Sequence, residues 1–246
     1  MIYHRFKDHR TEIFTDLSVI FLLTMRQVHS QCILALPYIA LMGLASGFVF
    51  FNTSDSQIGM IGGSGLTRDS YILSAVFARK VAPIVAAFSY TFFSLGGFAA
   101  KIANMKCQRQ IESLEIMGLS QRKYLLNPYI YCSAISLVAF HITFTINVII
   151  GYWIGMNLFH NLSLNAILAR CAEHVMISDL PLTAFSTLVL GYLLGQIACF
   201  DGMRADQYLF PIERIVRLTT LKCLVVAVVV NILVITILAT GNLWLL

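Results

Sequence analysis

The chain has 246 residues, of which 58% are hydrophobic and 12% charged, and its mean hydropathy is +0.79. A soluble globular domain carries about 25% charged residues, so this composition excludes one and implies an integral membrane protein with several helices. No polar stretch is long enough to fold alone, so residues 1–246 read as one transmembrane domain. The net charge of +5 follows membrane topology, and no nucleic-acid partner is expected.

The first element in chain order is "TEIFTDLSVIFLLTMRQVHS", residues 11–30. Its continuous apolar core, Val19 to Leu23, is too short to cross a bilayer. Phe14, Leu17, Phe21 and Val28 fall near one helical face, which predicts an amphipathic helix lying in the interface. An N-terminal extension of the first span is the alternative. No small-residue cleavage site follows the apolar run, so a cleaved signal peptide is not expected.

Five spans follow, each near the roughly 20 residues that a crossing needs. They are predicted at about 32–51, 75–100, 125–156, 181–200 and 218–240. The third is too long for an upright helix and must tilt, kink or protrude. Pro128 marks its entry, since proline is tolerated in a first helical turn. Gly43/Gly47, Gly151/Gly155 and Gly191/Gly195 each form a GxxxG pair, a spacing that lets helix backbones approach closely within the chain or between copies.

Lysine and arginine set the orientation. Thirteen lie in the N-terminal arm, the segment after the second span and the segment around the start of the fifth; four lie on the opposite side. The N-terminus is therefore expected to be cytoplasmic and the C-terminal "GNLWLL" outside, with Trp244 in the interfacial aromatic belt.

Between the second and third spans stands "MKCQRQIESLEIMGLSQRKYLLNP", Met105 to Pro128. On one helix over 105–118, Cys107, Ile111, Leu114 and Gly118 follow i, i+4, i+7, i+11 spacing, with Met117 beside them. Arg109 and Glu112 can pair at i, i+3, and Gly118 is a natural stop. Gln110 and Glu115 complete a short amphipathic helix of about three turns. Such a helix can lie on the membrane, dock in a partner's groove or remain a solvated loop helix. Glu112 and Glu115 disfavour an anionic membrane surface, which leaves a protein partner as the preferred reading.

"RQIESLEIMGLSQRKYLLNP" resembles the signature of the MlaE/YrbE-type permeases, the membrane subunits of ABC lipid transporters that work with MCE proteins. That signature reads E-Q-I-D-A-L-x-x-M-G, then Y-L-x-x-P. Gln110, Ile111, Glu112, Leu114, Met117, Gly118, Tyr124, Leu125 and Pro128 match it or substitute conservatively. "KVAPIVAAF" is similar to the family's E-L-G-P-V-L-T-A, "GGFAAKIANM" to its G-S-A-I-A-A-E-L-G-T-M, and "GQIACFDGMRA" to its G-C-Y-x-G segment. Thr219 and Thr220 fit its A-T-T.

The resemblance implies an all-α permease: an interfacial helix, five transmembrane helices and a cytoplasmic coupling helix between the second and third. It also implies a homodimer in the inner membrane, an ABC ATPase subunit gripping the coupling helix, and an MCE-domain carrier exchanging phospholipid. The coupling residues would be Cys107, Arg109, Gln110, Ile111, Glu112, Leu114, Glu115, Met117 and Gly118. The chain departs from the pattern where acidic positions fall on Lys80 and Lys101, an arginine falls near Phe93, and a glycine-rich stretch is replaced by "LFPIERIV" at 209–216.

No G-x-x-x-x-G-K-[ST] occurs, so ATP-driven work needs a second polypeptide. "DGMRADQ" resembles the D-G-x-x-A-R piece of lipid-head-group transferases, but Arg204 and Ala205 are transposed and the following D-x-x-x-D is missing. The six histidines show no HExxH and no i, i+4 pair, and the six cysteines no CxxC. No catalytic residue, cofactor or metal is expected, although His141, within a span, is a candidate for a functional polar group. The rival reading is a secondary transporter or channel without an ATPase, which would favour internal repeats or broken helices. No internal repeat is visible.

Overall fold

The computed structural model describes residues 21–29, 35–53, 80–117, 121–160, 165, 179–205 and 212–243. They form α1 (21–29), α2 (Ala35–Thr53), α3 (Ala82–Cys107), α4 (Gln110–Ile116), α5 (Asn127–His160), α6 (Asp179–Met203) and α7 (Ile212–Leu243). Among the described residues there is no strand. Five of the helices, α2, α3, α5, α6 and α7, are long and apolar enough to cross a bilayer. The chain is an all-α polytopic membrane protein.

Each span has a sequence reason. Most side chains in α5 and α6 are apolar all round, as expected for helices that meet lipid on one side and protein on the other. α5 is 34 residues long, about 50 Å at 1.5 Å per residue, so it extends well beyond a hydrocarbon core of about 30 Å. Its entry is a wide π turn over Arg122–Leu126, in which the Asn127 N–H reaches back to the Arg122 carbonyl. Pro128 accounts for it. The ring offers no N–H to the carbonyl four residues earlier and crowds that turn, which widening relieves. A second π turn, Thr91–Leu95, interrupts α3 just ahead of Gly96 and Gly97.

Lipid tails are as apolar as leucine, so helices in a bilayer associate mainly through close packing. The three glycine pairs supply it inside the chain. α2 runs parallel to α5. A Cβ at Gly47 would collide with the Val148 carbonyl, one at Gly151 with the Leu44 carbonyl, and one at Gly155 with the Phe51 ring. α6 runs antiparallel to α5, and a Cβ at Gly191 would lie 2.9 Å from the Ala134 Cα and the Ser133 carbonyl oxygen. The Ser133 hydroxyl lies 2.7 Å from the Gly191 carbonyl. Around these seams the buried core runs through Ile39, Tyr90, Phe98, Tyr129, Leu137, Phe140 and Phe144.

Three expectations change in detail. The second span does not end near residue 100 but continues to Cys107, because Ala103 and Cys107 pack against Ala205, Ile212 and Ile215. The last helix begins at Ile212, ahead of the expected 218, and exposes Glu213, Arg214 and Arg217. The single helix expected over 105–118 is two helices. Arg109 stands at φ 58°, the left-handed region, which breaks the right-handed path between α3 and α4. Of the amphipathic helix expected over 11–30, residues 21–29 are described and helical, with Val28 packed on the core. The remainder and Trp244 lie outside the described residues.

Candidate functional site

α4 hangs from the end of α3 through a two-residue joint. The Gln108 N–H bonds to the Asn104 carbonyl at 3.0 Å and the Arg109 N–H to the Lys106 carbonyl at 2.9 Å, which closes α3. The Ser113 N–H then bonds back to the Arg109 carbonyl at 3.2 Å and opens α4. Gln110 Nε2 donates to Gln108 Oε1 at 2.7 Å, bracing the joint from outside.

The predicted coupling residues divide across this joint. Cys107 is the last residue of α3, half-buried in the small cluster of Ala103, Ala205, Ile212 and Ile215. On α4, Ile111 is 3% exposed and turns inward, with Leu114 half-buried beside it. Gln110 and Glu112 are exposed. Arg109 precedes the helix in a left-handed conformation, and among the described residues no ion pair joins it to Glu112. Of Glu115 only the backbone is described, and Gly118 lies outside the described residues.

The apolar stripe is therefore not one surface. At 100° per residue, Ile111 and Leu114 share the inward face while Ile116 and Met117 point elsewhere. Ile116 is 87% exposed and Met117 64%. The outward apolar pair is Ile116 and Met117, and Ile116 is a residue that the stripe rule passes over.

Directly beside the joint, the ends of α3 and α6 and the third turn of α7 are tied together by charge. The Lys106 ammonium donates to the carbonyl of Met203, the last residue of α6. Two residues earlier in α6, Asp201 is buried. Both its carboxylate oxygens accept from Lys222 Nζ on α7, each at 2.9 Å. The Thr219 hydroxyl donates to Asp201 Oδ2 at 3.3 Å, and the exposed Arg204 guanidinium stands 3.9 Å from Oδ1. Gly202 lets α6 press on α3: a Cβ there would lie 2.9 Å from Ile102 Cβ. In the sequence, Lys106 and Lys222 count only as topology charges and Asp201 as a fragment of a transferase motif. Their partners lie on other helices, so spacing within one helix could not join them.

Two of the departures from the family pattern, Lys101 and Phe93, find local partners. Lys101 places its ammonium 5.7 Å from the centre of the Tyr129 ring, a cation–π contact. Phe93 stacks on Tyr38, ring centres 5.5 Å apart, and ties α3 to α2. Lys80 is exposed. His141 is buried on α5, and among the described residues its Nδ1 has no hydrogen-bond partner.

The pattern for Permease MlaE matches residues 24–238. The chain belongs to the MlaE permease family. A probable ABC transporter permease protein of Rickettsia typhi is 24% identical to it over 181 residues, 73% of this chain and 69% of that protein. The match to the MlaE family takes in every helix described here except the first three residues of α1 and the last five of α7. It includes the whole of α4 and the tied segments of α3, α6 and α7.

Proposed function

We propose that this chain is the membrane-spanning subunit of an ABC transporter that moves phospholipid or a similar hydrophobic molecule. Energy comes from a separate ATPase subunit. Two copies of the chain form the permease in the inner membrane, N-termini cytoplasmic, and an MCE-domain carrier receives or delivers the lipid outside. The chain itself is non-catalytic. Its first helix lies in the interface, and α4 is the coupling helix, seated in a groove of the ATPase.

One observation carries this reading. In an MlaE-family chain, α4 is anchored by a buried Ile111 while Ile116 and Met117 stand out from it without cover in the monomer. A short helix with one face anchored and apolar side chains on another suits a partner's groove. Docking there transmits a push into α3 through the short joint at Gln108 and Arg109.

The test is purification from native membranes. An ATP-hydrolysing subunit should follow the chain through detergent, and Ile116→Asp with Met117→Asp should release it while membrane insertion and dimerisation persist. A chain purified alone that conducts ions or substrate without ATP would establish the channel or secondary-transporter reading instead.

A further inference from the structure

Asp201 is poorly placed for stability alone. It lies in the last turn of α6, where the helix dipole presents its negative end. Its side chain is only 11% exposed, and removing a carboxylate from water is costly. A buried ion pair can often be replaced by well-packed apolar residues with no loss of stability. An ionisable group held within a membrane span is a functional candidate.

Its neighbours form an unbroken line. α4 joins α3 at Gln108 and Arg109. Lys106 of α3 holds the terminal carbonyl of α6. Asp201 of α6 holds Lys222 of α7 through both oxygens, with Thr219 as second donor from α7. The small cluster of Ala103, Cys107, Ala205, Ile212 and Ile215 fills the space beside these contacts. A displacement of α4 therefore reaches α6 through one charged contact and α7 through the next.

We propose that Asp201 and Lys222, with Lys106, are positioning residues that make the ends of α3 and α6 and the first three turns of α7 move as one body when the ATPase pushes α4. The pair does not touch substrate. It sets how much of each ATPase cycle becomes helix movement. The inference rests on the coupling role proposed for α4 and adds the path beyond it.

The experiment uses the permease–ATPase complex reconstituted in vesicles with fluorescent phospholipid. It measures ATPase binding, ATP hydrolysis and lipid transferred per ATP for Asp201→Asn, Lys222→Met and the conservative Lys222→Arg. Asp201→Asn and Lys222→Met should bind the ATPase and hydrolyse ATP within about twofold of wild type. Lipid moved per ATP should fall at least about tenfold, roughly 1.4 kcal/mol of lost coupling. Lys222→Arg should recover most of the transfer, since a guanidinium can also bridge both carboxylate oxygens. An unchanged ratio in both neutral variants overturns the proposal. So does a ratio preserved while thermal stability and every activity fall together, which marks the pair as structural. Wild-type chain that binds no ATPase would instead overturn the functional reading beneath it.

Discussion

Ser133 and Gly195 occupy one contact between α5 and α6: a Cβ built on Gly195 would meet the Ser133 hydroxyl first and its Cβ next, at 2.9 Å. The hydroxyl in turn bridges to the Gly191 carbonyl at 2.7 Å. Gly195→Ala should therefore destabilise by about 1–3 kcal/mol, as overpacking does. Ser133→Ala alone should cost about 0.6 kcal/mol, the usual scale for a hydrogen bond between membrane helices. The double variant should be less destabilised than the sum, because removing the hydroxyl removes the first clash. A thermal-melting cycle in detergent checks this, and a coupling of at least about 0.5 kcal/mol is expected for residues in contact.

The seam between α2 and α5 should behave differently. There the atoms facing Gly47 and Gly151 are the backbone carbonyls of Val148 and Leu44. No side-chain truncation can make room, so Gly47→Val must push α2 away from α5. We expect a loss of thermal stability of several degrees, taking about 2–4 °C per kcal/mol for a chain of this length. Spin labels on the exposed Val49 of α2 and Ile146 of α5 should lie farther apart with Gly47→Val than in the parent. An unchanged separation would contradict the close backbone approach.

Much of this architecture is legible in the sequence. The five spans follow from hydropathy and length, because only helices satisfy their own backbone in lipid. The glycine pairs name the packing seams, although the sequence alone leaves open whether they meet inside one chain. Span ends are less legible. Lys101 and Lys106 look like loop residues, yet long aliphatic stems carry their charges to the Tyr129 ring and the Met203 carbonyl while α3 continues beneath them. The break at Arg109 carries no mark at all: a glycine there would have announced a positive φ, whereas an arginine seldom adopts one. The pairing of Asp201 with Lys222, 21 positions apart across a connection, is invisible to helical periodicity.

The division of α4 into an anchored and an outward face gives a paired test. Ile111→Asp places an unpaired carboxylate at a buried position and should destabilise the joint by several kcal/mol, seen as poor expression or a lowered melting temperature. Ile116→Asp, on a side chain 87% exposed, should leave melting within about 0.5 kcal/mol of the parent. It should nevertheless remove ATPase binding and stimulated hydrolysis. Leu114→Asp, at the half-buried position, should show both defects in part. If Ile116→Asp binds the ATPase normally, the docking face lies elsewhere.

Glu112 offers the electrostatic counterpart. It is exposed in the first turn of α4, where a carboxylate is favoured by the positive end of the helix. Reversal to lysine should therefore weaken the helix slightly, by about 0.3–1 kcal/mol, and repel any cationic rim on the ATPase. Exposed charges are screened over roughly 10 Å at 0.1 M salt and roughly 3 Å at 1 M. The deficit of Glu112→Lys in ATPase affinity should accordingly be largest in dilute buffer and shrink as salt rises, with the wild-type affinity falling toward that of the variant. Affinities measured by titration at several salt concentrations decide the point. Parallel curves for wild type and variant would show that Glu112 faces no charge on the partner and contributes only through its own helix.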